Sequence, residues 1–266
     1  MANDVPSAID WLGWLQRWDA QQAGYVPERE ARFEAMLDAL AGTLPASFVA
    51  LDLACGPGSI SQRLLARFPA ASAIAVDIDP VMLAIGRGAL GTADGRLRWV
   101  EADLASPDWT QGLGQTKVDA VLSTTALHWL EPEPLARLYR DLVRLLPPGG
   151  VLLNGDHMAF GPAFPTLERL SGRQLDEQWT DASFAQRGIE TAEQWWDALA
   201  SEPGFAPLLT QRAQRFAGKR RQASPPGFDV HVAALHEAGF AEVATIWQML
   251  SDRVLMAVRS ESHGGA

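Results

Sequence analysis

The chain has 266 residues, 47% of them hydrophobic, enough to bury a full core in one large domain or a domain with an insertion. Its 22 basic and 32 acidic residues leave a net charge of -10, which disfavours a surface that tracks phosphates and excludes nucleic acid as the expected partner. The single cysteine, Cys55, excludes a disulfide framework, and no apolar run reaches the roughly 18 residues that span a bilayer. With a start, M-A-N-D-V-P, that lacks the basic region of a signal peptide, the expectation is a cytoplasmic protein with no membrane partner.

In chain order, Trp11, Leu12, Trp14, Leu15 and Trp18 recur at three- and four-residue spacing and predict an amphipathic helix. Two uses are open for it: a helix packed on the main domain, or a lid whose tryptophans, Trp14 among them, face a substrate. A second helix follows Pro27, runs through Arg29, Phe33, Met36, Leu37 and Leu40, and ends at Gly42. Residues 1–44 are therefore read as a helical lid.

Val49–Leu53 is apolar apart from Asp52 and predicts a strand buried on both faces of a parallel sheet. It breaks into Ala54-Cys55-Gly56-Pro57-Gly58, and a helix with Ile60, Leu64, Leu65 and Phe68 on its apolar face follows. Glycines allow backbone conformations and a close approach that a Cβ would block, and the helix start offers unpaired N–H groups. A dinucleotide site wants a third glycine, where this chain has Ser61, and it does not want the carboxylate of Asp52 beside a pyrophosphate. An ammonium group would suit Asp52.

A second buried strand, within 71–80, ends at Asp77, about 20 positions past the glycine turn, where an acidic residue hydrogen-bonds both ribose hydroxyls. Asp79 is placed to cap the helix from Pro80. A third strand, 96–104, ends in Asp103. The fourth strand and its exit loop, 118–130, bring Ser123, Thr124, His128 and Trp129 to the carboxyl side of the sheet, where ligands bind. A helix from Pro132 and the turn L-P-P-G-G lead to a fifth strand ending at Asp156 and His157.

From Met158 to about Gly227 the alternation stops. This helical and irregular stretch, with Trp179, Trp195 and Trp196, is read as a cap over the substrate pocket. Arg212, Arg215, Lys219, Arg220 and Arg221 leave two readings open, a solvated helix face or a patch for an anionic substrate or partner. A helix to Gly239 and two strands, 241–250 and 253–259, close the chain. Their short link forces an antiparallel hairpin, which distinguishes this sheet from a dinucleotide-binding one.

D-L-A-C-G-P-G, the acidic strand ends Asp77 and Asp103, the L-P-P-G-G turn and the closing hairpin together resemble class I S-adenosylmethionine (SAM)-dependent methyltransferases. The resemblance covers about residues 45–157 and 230–259. It implies an α/β, Rossmann-like seven-stranded sheet with an antiparallel last strand, carrying a helical N-terminal lid and a cap insertion. The organisation expected is a lid over 1–44, a SAM-binding core over 45–157, a cap over 158–228, the end of the core over 229–260 and a tail over 261–266.

By that resemblance SAM is the cofactor and S-adenosylhomocysteine the product. Asp52, Ala54, Gly56 and Gly58 would line the cofactor, Asp77 and Ile78 the ribose and adenine, and Asp103 with the N–H of Leu104 the adenine edge. Met82 and Ser123 complete the set, with Tyr25 and Arg29 reaching the methionine end. The loop S-T-T-A-L-H-W-L is similar to that of trans-aconitate, juvenile hormone acid and salicylate-type carboxyl methyltransferases. There the tryptophan position helps hold a substrate carboxylate, which makes Trp129 a substrate residue beside Trp14, Trp195 and Trp196.

Transfer from a sulfonium needs alignment in a dry pocket more than it needs a strong base. His128 is the first candidate for a catalytic group and His157 the second. The expected reaction is methyl transfer to a small-molecule oxygen, carboxylate or hydroxyl, by a monomer or homodimer without a metal. A carbon or nitrogen acceptor, a nicotinamide-dependent oxidoreductase and a non-catalytic SAM-fold binding module remain alternatives.

Overall fold

The computed structural model describes residues 9–114, 117–219 and 225–260. Five parallel strands, β1 (Val49–Leu53), β2 (Ser72–Asp77), β3 (Leu97–Glu101), β4 (Ala120–Thr124) and β5 (Val151–His157), carry the apolar runs of the sequence. The hairpin of β6 (Phe240–Met249) and β7 (Asp252–Arg259) joins them, with β7 antiparallel to β5, in the order β3-β2-β1-β4-β5-β7-β6. The order reverses between β1 and β4, so the crevice for a ligand opens at their carboxyl ends.

Ten helices are formed by the described residues: α1 (Trp11–Tyr25), α2 (Arg29–Thr43), α3 (Ser59–Arg67), α4 (Pro80–Leu90), α5 (Pro132–Leu145), α6 (Pro165–Gln178), α7 (Asp181–Arg187), α8 (Ala192–Ala200), α9 (Ala206–Phe216) and α10 (Phe228–Ala238). Three of them open on proline, whose missing N–H is no loss in a first turn. One face of the sheet is covered by α5 and α10 through Leu135, Leu138, Tyr139, Leu142 and Leu235. The other is covered by α2 and α3 through Phe33, Met36, Leu37, Leu40, Ile60 and Leu64.

Three expectations change. The second helix of the supposed lid, α2, belongs to the sheet's own packing layer, because its apolar stripe is long enough to cover β1 and β5. The stretch after β5 is four ordered helices, α6 to α9. The third strand stops at Glu101, so Asp103 stands on a loop, in a turn where it accepts the Ala105 N–H. Residues 1–8, Arg220, Arg221 and the tail 261–266 lie outside the described residues.

Candidate active site

β1 leads into a turn whose backbone is set by dihedral angles that most residues avoid. Ala54, Gly56 and Gly58 all have positive φ, +50°, +55° and +89°. At Gly58 space forbids a side chain as well, since a Cβ would stand 2.7 Å from the Trp99 ring. A Cβ on Gly56 would have only the Trp18 indole near it, at 3.9 Å. The Trp18 indole is thus the nearest side chain to Gly56.

Two carboxylates stand beside the turn, both buried. Asp52 accepts the Ser61 hydroxyl at 2.6 Å through Oδ2, while its Oδ1 has no hydrogen-bond partner. Burial pushes its pKa up to about 7, against the pull of Ser61. Asp77 accepts the N–H groups of Gly56, at 2.7 Å, and Asp79, at 2.8 Å. Burial still pushes it up to about 6. Each of its oxygens keeps room for a second donor. Cys55 is a spacer here, its thiol driven well above its ordinary range by burial.

Further along the edge the acids are already paired. Asp79 caps α4 by accepting the Val81 N–H at 2.9 Å, and it binds Arg212 of α9 at 2.6 Å. Glu101 pairs with Arg215, and Asp103 with Lys219. The basic stretch therefore lies along the acidic rim of its own sheet, with Arg215 and Lys219 still on a solvated face.

The exit of β4 and the end of β5 carry a second cluster. His128 Nδ1 lies 2.6 Å from Asp156 Oδ1, the His128 N–H donates to Oδ2 at 3.1 Å, and the His157 N–H donates to Oδ1 at 2.8 Å. Burial of Asp156 would raise its pKa, but His128, the hydrogen bond between them and Arg32 hold it at about 2. With Asp156 ionised, Nδ1 of His128 carries the proton of the hydrogen bond between them.

Arg32 completes this cluster from below. It is fully buried, donates to the Thr125 hydroxyl and lies 3.7 Å from Asp252, yet Nε and Nη1 have no hydrogen-bond partner. Burial lowers its pKa to about 10 although Asp252 and Asp156 oppose the shift. Gly155 makes room for it, since a Cβ there would meet Arg32 Cδ at 3.2 Å. Thr125, at φ +55°, is the other strained strand exit and is pinned by Arg32 and by its own N–H to the Gly155 carbonyl. Nearby, His231 accepts or donates at Nδ1 with Tyr139 at 2.6 Å, and burial pushes its pKa down to about 4.

The methyltransferase-domain family model matches residues 50–150, the segment from β1 to the turn before β5. Over this segment the chain is similar to S-adenosylmethionine-dependent methyltransferases. It is 35% identical over 139 residues to trans-aconitate 2-methyltransferase of an Azoarcus species, covering 52% of this chain and 50% of that one. It is 25% identical over 261 residues to carboxy-S-adenosyl-L-methionine synthase of Chromohalobacter salexigens, covering 97% and 77%. The solved magnesium protoporphyrin IX methyltransferase of Synechocystis PCC 6803, with bound S-adenosylhomocysteine, superposes with a TM-score of 0.54 at 17% identity, covering 92% and 94%. The chain spans about half the length of the curated trans-aconitate relative it matches.

The methyltransferase cofactor fits these residues on two observations. Asp52 holds a buried oxygen with no donor, which an ammonium would supply, and the carboxylate of Asp77, with no cation in contact, suits hydroxyls, where it would repel a pyrophosphate. No group of three or more His, Cys, Asp or Glu side chains able to hold a metal occurs among the described residues.

The other site candidates are placed as follows. Ile78 is half-buried at the mouth beside Asp77, and Trp129 is 49% exposed with its ring 4.6 Å from His128. Leu104 is buried against the core, and Met82 sits in the apolar cluster of α1, α4 and α8. Trp14 and Trp195 are corrected to packing residues of that cluster, crossing edge to face at 5.5 Å. Trp196 lies under the Arg212 guanidinium at 4.1 Å. Ser123 is buried and donates to the Leu53 carbonyl, tying β4 to β1.

Arg29 is buried against Asp19 at 3.0 Å, and Tyr25 accepts the Ala192 N–H while packing on Phe184, so the polar ends of both are spent on neighbours. His157 shares a hydrogen bond with Ser251 at 3.1 Å. Sequence reasoning missed Arg32 and the role of Asp156. A signal existed for Arg32, which shares the apolar stripe of α2 with Phe33 and Met36, a place where a bare guanidinium is costly.

Proposed function

We propose that the protein transfers a methyl group from SAM to an oxygen of a small-molecule carboxylic acid. The observation that carries this reading is the His128–Asp156 pair. It ends β4 and β5, about 14 Å across three strand spacings from Asp77 at the end of β2. Support for a carboxylate acceptor comes from the trans-aconitate relatives and from the unspent N–H groups of Arg32.

When bound, SAM supplies a methyl group on a positively charged sulfur, already activated for displacement. Asp52 would hold its ammonium, Asp77 its ribose hydroxyls, and Asp103 its adenine amine. Trp18 excludes water above the glycine turn. Asp156 fixes the ring of His128 and keeps the proton at Nδ1. In the imidazolium form Nε2–H donates to the acceptor carboxylate and orients its attacking oxygen, so no proton leaves the acceptor. Arg32 offers a second set of donors to a carboxylate at that end.

A hydroxyl acceptor is the second reading, favoured by the same pair, since neutral His128 held by Asp156 is a base at Nε2. The test is incubation with SAM and a panel of small di- and tricarboxylic acids and phenols, with methylated products read by mass spectrometry. Methyl esters, released by mild alkali, are the expected result. Alkali-stable products with activity that rises with pH favour the hydroxyl reading.

A further inference from the structure

We propose that the carboxyl-terminal end of α9 is a gate on the adenine end of the cofactor site, with the Lys219 ammonium standing in for the adenine amine at Asp103. This rests on the reading of Asp103 as the adenine acceptor. The strap is fastened unevenly. At its inner end Arg212 binds Asp79, which is 9% exposed, and its guanidinium is stacked between Trp196, at 4.1 Å, and Phe216, at 4.9 Å. Guanidinium stacking and a buried partner make that end an anchor.

At the outer end the fastening is an ion pair only. Arg215 is 56% exposed in its pair with Glu101, and Lys219 is 38% exposed in its pair with Asp103. Pairs this exposed add little to stability and are screened by salt. Between them Gly218 takes φ +75°, a conformation open to glycine that turns the chain so that Lys219 folds back onto the rim.

Chemistry decides what the pair does. Asp103 Oδ1 takes the Ala105 N–H and Oδ2 takes Lys219, so an incoming exocyclic amine meets a carboxylate whose outward oxygen is already occupied by a cation. The nucleoside competes with Lys219 for this carboxylate, while Arg212 stays on Asp79 and keeps this segment attached. The cost of opening is small and depends on ionic strength.

The test is calorimetric titration of the full chain with S-adenosylhomocysteine, which lacks the sulfonium charge and so has little salt dependence of its own. Wild-type affinity rises several-fold between low and high salt. Lys219→Gln tightens binding several-fold at low salt and removes most of that salt dependence, and Arg215→Gln does the same to a smaller degree. Both substitutions are at exposed positions, and melting of the unliganded variants controls for folding. Amide exchange over residues 213–219 is expected to speed up in the complex.

Equal or weaker binding by Lys219→Gln, or slower exchange in the complex, overturns the gate. If the wild type binds no S-adenosylhomocysteine at any salt, the cofactor reading itself falls. That outcome is distinct from a wild type that binds but ignores both salt and substitution.

Discussion

One sheet edge carries two kinds of buried aspartate. At the ends of β1 and β2, Asp52 and Asp77 are pushed up to about 7 and about 6, because burial acts on them with no cation in contact. At the end of β5, Asp156 is equally buried and yet held at about 2, because His128 and Arg32 stand beside it. The first half of the edge is therefore a set of acceptors that lacks its positive and donating partner. The second half is already charge-matched. On the proposed reading, a cation-bearing, donor-rich cofactor completes the first half and the second orients the acceptor.

The largest effect expected from breaking this contrast is on the first half. Asp77→Ala removes the carboxylate that Gly56 and Asp79 hold in place, and binding of SAM should fall by about 100-fold or more, the worth of two hydrogen bonds to a charged group. Near-normal affinity by calorimetry would refute the ribose assignment. In the second half, Asp156→Asn should cut turnover by about 100-fold or more while leaving S-adenosylhomocysteine affinity unchanged. A matching loss in both would show that the pair serves the cofactor.

Asp52→Asn sharpens the contrast by moving stability and function in opposite directions. A raised carboxyl pKa contributes stability below its unfolded value of about 4, and this is lost as pH rises through the folded values of about 6 and 7. Asp156 works the other way: its contribution is present above about pH 4 and is lost as pH falls toward about 2. At pH 8 the Asp52→Asn variant, neutral at this position, should melt higher, by about 2–4 °C for each kcal/mol gained, while SAM affinity falls. The smallest effect expected is Ser61→Ala, about 1 kcal/mol of stability at pH 8 from the lost hydroxyl bond to Asp52.

What the sequence disclosed was local or periodic. Asp77 and the glycine turn are read from a carboxylate ending an apolar strand and from the only residues that fit the turn. The hairpin of β6 and β7 follows from the length of its link. What it hid depends on partners far apart in the chain. Arg212 meets Asp79 across 133 positions and Arg32 meets Thr125 across 93, and no spacing rule predicts either. Trp14 and Trp195 have the spacing of a lid, but their large rings fill the gap between α1, α8 and α4 instead. His128 was visible at a strand exit, while its function depends on Asp156 brought beside it by the neighbouring strand.

The most direct test of the uncompleted acidic half is calorimetric titration of the protein with SAM at pH 6 and pH 8, repeated in buffers of different ionisation enthalpy. Asp52 and Asp77 must ionise to receive the cofactor. Affinity should therefore rise between the two pH values, with net proton release to the buffer at pH 6. Affinity that is the same at both, with no proton released, would contradict the account, and so would tighter binding of NAD than of SAM.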